Sequence, residues 1–548
     1  MKNFIFFIFF ISFCFSQKID LRSFKSGKRG DKYRIWIYFK DKADSEKISA
    51  SQKAHQRRLD HGTKTNYSWY DLKVSPKYIN SIQSLGLKIE NESRWLNAIS
   101  VNCSEEHIYL IVSLPFVKKI EPVKGYKKKH FDVIEGIQTG VRDFDYGDAN
   151  IQVEQINVHL LHVQGLTGQG IRVLLLDTGY NLSHNALNHI NVIAQRDFIN
   201  DDDQTANETD FEENINQDDH GTKILSIIAA NSPGNLIGPA FEADFLLAKT
   251  EDVSQEWQQE EDDYVAGLEW GEVNGADIAS SSLGYADWYT ESDFDGNTAI
   301  TTIAVDIAVG LGVICVTAVG NGYAIAPADA DSVISVGAVN NMGEIASFST
   351  RGPTFDGRIK PEVCAQGVNV WAISGNNNSD FINIYNGTSA STPLVAGATA
   401  LIIQARPTWS PMEVRESILM TSSMADSANN TYGYGIMNAA AAIEYWSTSG
   451  ANELIHQPQP NNYNIVAAYP NPFNPSINIE VTSIGASTIK VSIFSFNGKF
   501  IKNLFHGDII NSTEIIQWEP DNISSGIYLV RLVNNRKESV YRKITYIK

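Results

Sequence analysis

The sequence predicts an α/β protein whose middle is a doubly wound parallel sheet, preceded by a small α+β unit and followed by a small all-β sandwich. Three observations lead there. Strand-length runs at Ile171–Leu176, Val313–Val319 and Val333–Val339 are apolar almost throughout and are separated by helix-length stretches, the mark of a parallel sheet covered on both faces. Residues 31–125 alternate short strands and helices, with Tyr33–Phe39 and Ala98–Val101 as strands, a polar helix near 43–59 and another from Glu105. Beyond the polar, Pro-rich Gln457–Asn462, runs such as Thr488–Ile493 and Gly526–Leu532 read as strands of a sandwich.

A chain of 548 residues with 43% apolar content has room for about three or four cores. Its 20% charged residues, 39 Gly and 17 Pro exclude a wholly disordered, collagenous or coiled-coil chain.

Taken in order, residues 1–16 carry one Lys and the run Phe4–Ile11, too short to span a bilayer but suited to a signal peptide. A leader follows at 17–125, then a Lys-rich linker at 126–147 that is a candidate processing region. The body occupies 148–447, a second linker 448–464, and the C-terminal unit 465–548. No later run offers 18 uncharged apolar residues, so the mature protein is expected to be exported without spanning a membrane.

The net charge of −19 hides a division. Residues 17–144 carry 25 Lys/Arg against 15 Asp/Glu, whereas residues 145–447 carry 9 against 41. A basic leader beside an acidic body suggests mutual attraction, and the acidic body speaks against nucleic-acid binding. The plainer alternative is an acidic surface that serves solubility. No Cys/His spacing suggests zinc; Cys315 and Cys364, in apolar strand contexts, are expected to be buried thiols, with a single disulfide between them as the alternative in an exported protein.

Three motifs carry chemistry. Asp177-Thr178-Gly179 places a carboxylate at the end of an apolar strand. His220-Gly221-Thr222 opens an apolar helix. Asn386-Gly387-Thr388-Ser389 leads into another apolar helix, where free backbone N–H groups and the positive dipole end favour developing negative charge. Each alone is weak. Together they give Asp, His and Ser in the chain order of the subtilisin arrangement.

On these residues, with Pro393 and Val395-Ala396-Gly397 following, the body resembles a subtilisin-like serine protease, a subtilase of peptidase family S8. The resemblance implies Ser389 as nucleophile, His220 as general base and Asp177 as its orienting carboxylate. Ala318-Val319-Gly320-Asn321-Gly322 resembles the segment whose Asn donates to the oxyanion, which makes Asn321 the expected donor. Ser280-Ser281-Ser282-Leu283-Gly284 resembles the substrate-pairing stretch, so Ser282, Leu283 and Gly284 are the expected substrate contacts. Nothing charged marks that stretch, which points to apolar or uncharged residues before the cut. Two departures stand out: Ala390 after the nucleophile, where many relatives have an oxidisable Met, and Leu394, where the family often has His.

By position and pattern the leader resembles an inhibitor-like subtilase propeptide. Tyr469–Pro475, Phe496–Lys499 and Ser524–Val530 resemble the C-terminal sorting domain of type IX secretion, with an immunoglobulin-like sandwich as its implied shape. The resemblances together imply a secreted or surface-attached endopeptidase. Its expected partners are protein or peptide substrates, its own propeptide and the outer-membrane secretion machinery, and its expected state is a monomer. No cofactor is needed for the chemistry; structural calcium is a family expectation without assigned ligands. Asp201, Asp203, Thr205 and Glu212 echo a calcium loop, but Ala206 stands where a turn Gly belongs, and residues 201–219 read as a solvated acidic loop. The competing class is an extracellular scaffold that has lost activity, against which the full set of Asp177, His220, Asn321 and Ser389 argues.

Overall fold

The computed structural model describes residues 24, 27–29, 32–61, 69–123, 125–126, 144–254, 256–374, 379–445, 463–469, 476–495, 500–520, 523, 526–534 and 539–546. The expected signal peptide and most of both linkers lie outside them. The chain divides into two units, Met1–Ser449 and Gly450–Lys548.

In the first unit the leader supplies strands β1 (Lys28–Arg29), β2 (Lys32–Phe39), β3 (Ile89–Ser93), β4 (Ala98–Cys103) and β5 (Val117–Pro122). They form an antiparallel sheet in the order β1-β2-β4-β3, with β5 on β2. Helices α1 (Gln52–Asp60), α2 (Pro76–Gln83) and α3 (Glu105–Val112) accompany it, and Ile35, Ile37, Ile82, Ile99, Ile108 and Ile111 fill the core. Helix α1 starts later than the polar pattern suggests because the Ser51 hydroxyl caps it, accepting from Ala54 N at 3.1 Å.

The body is built on β6 (Arg172–Asp177), β7 (Asn191–Asp197), β8 (Asp244–Lys249), β9 (Ile278–Ser281), β10 (Ile314–Ala318), β11 (Ile334–Val339) and β12 (Val363–Gln366). These make one parallel sheet in the order β12-β11-β10-β9-β6-β8-β7. Side chains of β6 alternate between two cores. Val173 and Leu175 pack with helices α4 (Asp219–Ala229) and α7 (Thr388–Ala405), while Leu174 and Leu176 pack with α5 (Gln259–Val273) and α6 (Ile300–Gly310). With both faces covered, the strands need apolar residues at every position, which is why they read as unbroken runs. The register pairs Ser281 with both Leu176 and Thr317, so β6, β9 and β10 end level with one another. Ligands of such sheets sit beyond these carboxyl ends.

The leader lies on α5. Arg34 pairs with Asp262 at 3.5 Å, Asn91 donates to Asp263 at 2.6 Å and Ser93 to Glu269 at 2.6 Å. Glu272 takes Arg57, Arg58 and Arg94. All of these carboxylates are buried. The attraction read from the charge division thus resolves into buried ion pairs and hydrogen bonds on one helix.

Cys103, Cys315 and Cys364 are buried free thiols. Burial pushes Cys103 and Cys364 up to about 12 and raises Cys315 strongly.

In the second unit β13 (Tyr463–Tyr469), β14 (Ile477–Ser495), β15 (Phe500–Trp518), β16 (Gly526–Asn534) and β17 (Ser539–Tyr546) form a single antiparallel sheet in the order β13-β14-β16-β17, with β15 on β14. Ile477, Ile479, Val491, Ile493, Trp518 and Val530 are buried in its core.

Candidate active site

Asp177, the last residue of β6, is 0% exposed. Its Oδ1 lies 2.6 Å from His220 Nδ1 and also accepts from Thr178 N at 2.8 Å. Its Oδ2 is buried without a hydrogen-bond partner among the described residues. The contact with this buried carboxylate fixes the orientation of the imidazole.

His220 is the second residue of α4, with its ring 30% exposed. The start of α4 comes this close because position 221 is glycine. A Cβ there would overlap the Gly179 carbonyl and stand 3.1 Å from Asp177 Cβ.

Ser389, second in the 18-residue α7, lies at that helix's N-terminus. Its Oγ donates to Ser282 O at 3.2 Å, and Ser282 Oγ donates in return to Ser389 O at 2.9 Å. The segment after β9 is thereby held against the nucleophile candidate. Leu283 and Gly284 continue it, partly buried.

Asn321 stands just beyond β10. Its Oδ1 accepts from both Thr388 N (3.0 Å) and Thr388 Oγ1 (3.1 Å), which turns its NH2 toward the opposite side. A Cβ at Gly387 would lie 3.5 Å from Asn321 Nδ2 and 3.6 Å from Ser389 N. These two donors therefore border one small space that only glycine leaves open, and Gly387, at φ +143°, has a backbone that disfavours any other residue. Two N–H groups converging at the positive end of a helix can hold an oxyanion.

The fold thus brings Asp177, His220, Asn321, Ser389 and Ser282 to one end of the sheet. Three neighbours have roles that sequence reasoning does not assign. Thr388 orients Asn321, Gly387 keeps the donor space clear, and Tyr385 sets its ring edge-on to His220, centroids 6.1 Å apart. Burial raises the Tyr385 phenol well above its ordinary value, helped by the nearby Asp177 charge, and its hydroxyl bonds to Ser389. The sequence signal for Thr388 and Gly387 is only their adjacency to Ser389.

Beside Gly284 a cavity of about 1260 Å³ opens. The 280–284 stretch carries no charge, yet Asp287, Glu291 and Arg351 line this cavity with Tyr289, Phe294 and Phe355, so the surroundings of the substrate stretch are more polar than the sequence suggests.

The acidic loop is a possible cation-binding group of different composition from the spacing-based one. Asp197, Asp202 and Glu208 bring carboxylate oxygens within 4.8 Å of one another. Asp197 is already saturated. Its Oδ1 accepts from Ile199 N (2.7 Å) and Asn200 N (2.9 Å), and its Oδ2 binds Lys249 Nζ (2.8 Å). Lys249 also reaches Glu212 at 2.6 Å. A calcium ion would have to displace that ammonium, so these residues as they stand do not fit one. Asp201 and Asp203 point instead toward Arg196 and are exposed. The stretch read as wholly solvated includes a short helix, Asp210–Ile215, closed by a Thr209/Glu212 capping box, with Glu212 buried.

Three family profiles match the chain. The Subtilase family matches residues 168–435, the Peptidase S8 propeptide domain of Bacteroidota residues 34–133, and the Secretion system C-terminal sorting domain residues 467–548. Subtilisin E of Bacillus subtilis (strain 168) is 30% identical over 383 residues, covering 68% of this chain and 87% of that protein. Subtilisin of Bacillus pumilus is 33% identical over 305 residues, covering 53% and 98%. Subtilisin Savinase of Lederbergia lenta is 31% identical over 294 residues, covering 53% and 97%.

Proposed function

Because the chain belongs to the subtilase family of serine endopeptidases, with a propeptide ahead of the catalytic domain and a sorting domain behind it, we propose that it cleaves proteins through Ser389, His220 and Asp177 after its leader is removed. The observation that carries this reading is the 2.6 Å contact between Asp177 and His220, set at the sheet end that also holds Ser389 and Asn321.

At rest the Ser389 hydroxyl is spent on the Ser282 carbonyl. A substrate strand laid along Ser282–Gly284 offers its own N–H to that carbonyl and frees the hydroxyl for His220. Oγ then attacks the scissile carbonyl carbon while His220 takes the proton, and the imidazolium is stabilised by the buried Asp177. The oxyanion is held by the Asn321 amide and Ser389 N–H. Collapse expels the amine, which receives the proton from His220, and water hydrolyses the acyl-enzyme by the same steps in reverse roles. No metal or organic group enters these steps.

The leader, residues 17–125, serves as inhibitor. Gly125–Tyr126 pairs antiparallel with Glu256–Trp257, which is strand addition, the mode by which a peptide joins an exposed edge. Cutting within 126–147 frees the catalytic domain, 148–447, which works as a monomer on protein or peptide substrates. The C-terminal domain, 465–548, directs the chain to secretion or surface attachment. No helix among the described residues is long and apolar enough to cross a membrane. We assign the route to type IX outer-membrane machinery, and the shape of the C-terminal domain to an immunoglobulin-like sandwich.

The test is expression from Gln17 beside Ser389→Ala, followed by intact mass and hydrolysis of a denatured protein. Leader loss and proteolysis confined to the wild type support the reading. A folded wild type that stays inert after its leader is removed by an added protease overturns it.

A further inference from the structure

From Thr250 to Thr350 the chain carries 18 Asp/Glu and no Lys, Arg or His. Five of those carboxylates have a partner in the leader. Asp262 takes Arg34, Asp263 takes Asn91, Glu269 takes Arg94 and Ser93, Glu272 takes Arg57, Arg58 and Arg94, and Asp277 takes Lys53 at 2.7 Å. Among the described residues, every cation that pairs with these five belongs to the leader. Its departure therefore leaves an acidic face whose counter-charges have gone with it.

That face is held in place by the body. On its inner side α5 lies close on β6, where a Cβ at Gly267 would stand 2.9 Å from Leu176 and a Cβ at Gly271 would overlap Leu174. Tyr264, Val265 and Leu268 are buried in the same core. On the outer side Asp262, Glu269 and Glu272 recur at helical spacing and form a row about 15 Å long. The leader shows what this row accepts. Four of its five cations there are arginines, and Glu272 alone holds three guanidinium groups, Arg58 in a fork. A planar guanidinium matches a carboxylate in two parallel bonds, which an ammonium cannot do.

The row also adjoins the place where a chain is paired as a strand. Glu256–Trp257, which pairs with Gly125–Tyr126, is separated from α5 by Gln258 alone. All five leader cations precede Gly125 in the chain, so a polypeptide engaged in this way presents its upstream part to α5. We propose that in the mature protease the α5 face is an exosite for arginine-rich segments upstream of the bond to be cut, directing the enzyme to arginine-rich proteins. The inference rests on the proteolytic reading above and gives it a substrate class. Each contact made in solvent is weak, but several on one chain already held in the cleft act together.

The test uses the full chain after removal of its leader, titrated with a fluorophosphonate that labels the active serine. Three quenched fluorogenic peptides share one cleavable core and differ in an upstream extension carrying four Arg, four Lys or four Gln, with cleavage in the core followed by product mass. KM for the Arg peptide should lie about tenfold below that for the Gln peptide at similar kcat, with Lys between, and the gap should close at about 1 M salt. Glu269→Gln with Glu272→Gln should abolish the Arg advantage and leave the Gln peptide unchanged. Equal KM for the Arg and Gln peptides overturns the proposal, as does an Arg advantage that survives in the variant. A Lys extension as good as Arg overturns the assignment to guanidinium. If the variant fails to label, free tetra-arginine decides with the wild type: it should inhibit cleavage of the Arg peptide and spare the Gln peptide, and inhibition of both places arginine in the cleft and overturns the exosite. A wild type that neither labels nor cleaves any peptide is a failure of the proteolytic reading itself, a different result from all of these.

Discussion

Arg58 of the leader and Glu272 of α5 form a forked ion pair, with Nε 2.9 Å from Oε1 and Nη2 2.8 Å from Oε2. Both side chains are almost wholly buried. Planar bidentate geometry is what allows such a pair to offset the desolvation of its charges. Removing Arg58 takes away the forked bonds but leaves Arg57 and Arg94 on the same carboxylate, so the loss is smaller than the about 3–5 kcal/mol of an uncompensated buried charge. Arg58→Ala in the Ser389→Ala background should therefore loosen the leader by about 10- to 100-fold in its docking equilibrium, the size of one or two charge-assisted hydrogen bonds. The check is the rate at which a small amount of added protease digests the leader of the intact precursor; an unchanged rate would refute the role of the pair.

The docking should also respond to pH. Burial pushes Asp262 up to about 7 and Asp263 up to about 8, with Arg34 opposing the shift at both. Arg34 and Asn91, which hydrogen-bond to them, belong to the leader, so its departure returns both to the ordinary carboxylate range near about 4. The docked state binds more protons, so these groups support docking fully in acid and lose that support as pH rises through about 7 to 8. After the linker of Ser389→Ala protein is cut, gel filtration should show more retained leader at about pH 6 than at about pH 9. Asp262→Asn with Asp263→Asn should flatten the profile.

Asn321→Ala should lower kcat by about 100- to 1000-fold with little change in KM, the loss known for the corresponding donor of a subtilisin. Thr388→Val removes one of the two bonds that aim the amide and should cost kcat less, about tenfold. Steady-state kinetics normalised by active-site titration separates the two. A Thr388→Val effect confined to KM would mean that Thr388 does not act through Asn321.

Lys249 is buried between Asp197 and Glu212, and its backbone pairs with Asp177 across β8 and β6. Lys249→Ala leaves two acids facing each other and should cost about 3–5 kcal/mol of stability. Thermal denaturation of the Ser389→Ala precursor measures it without self-digestion. A variant melting within a degree of its parent would show that the ammonium is dispensable.

The catalytic candidates were legible in the sequence because each sits where short-range pattern and chemistry coincide. Asp177 ends an apolar strand, and His220 and Ser389 open apolar helices beside glycines that permit close approach. The parallel sheet was legible for the same reason, since burial on both faces leaves unbroken apolar runs. What stayed hidden depends on contacts between distant segments. The Thr388 bonds to Asn321 arise only when the end of β10 meets the start of α7. Charge counting gave the leader's attraction to the body but not its form, because Asp262, Asp263, Glu269 and Glu272 look in sequence like any solvated acidic face. Lys249 was equally invisible as an internal cation, being one lysine at the end of a strand, 37 residues from the glutamate it neutralises.

The three buried thiols bear on the journey this chain must make. A secreted protein commonly locks its fold with cross-links made in an oxidising compartment, and so waits on the enzymes that make them. Here Cys103, Cys315 and Cys364 are shielded and held as thiols by their apolar surroundings, so among the described residues the architecture owes nothing to oxidation. Among the described residues, then, no bond waits on an oxidant, and the precursor's melting temperature should be the same with and without a reducing agent.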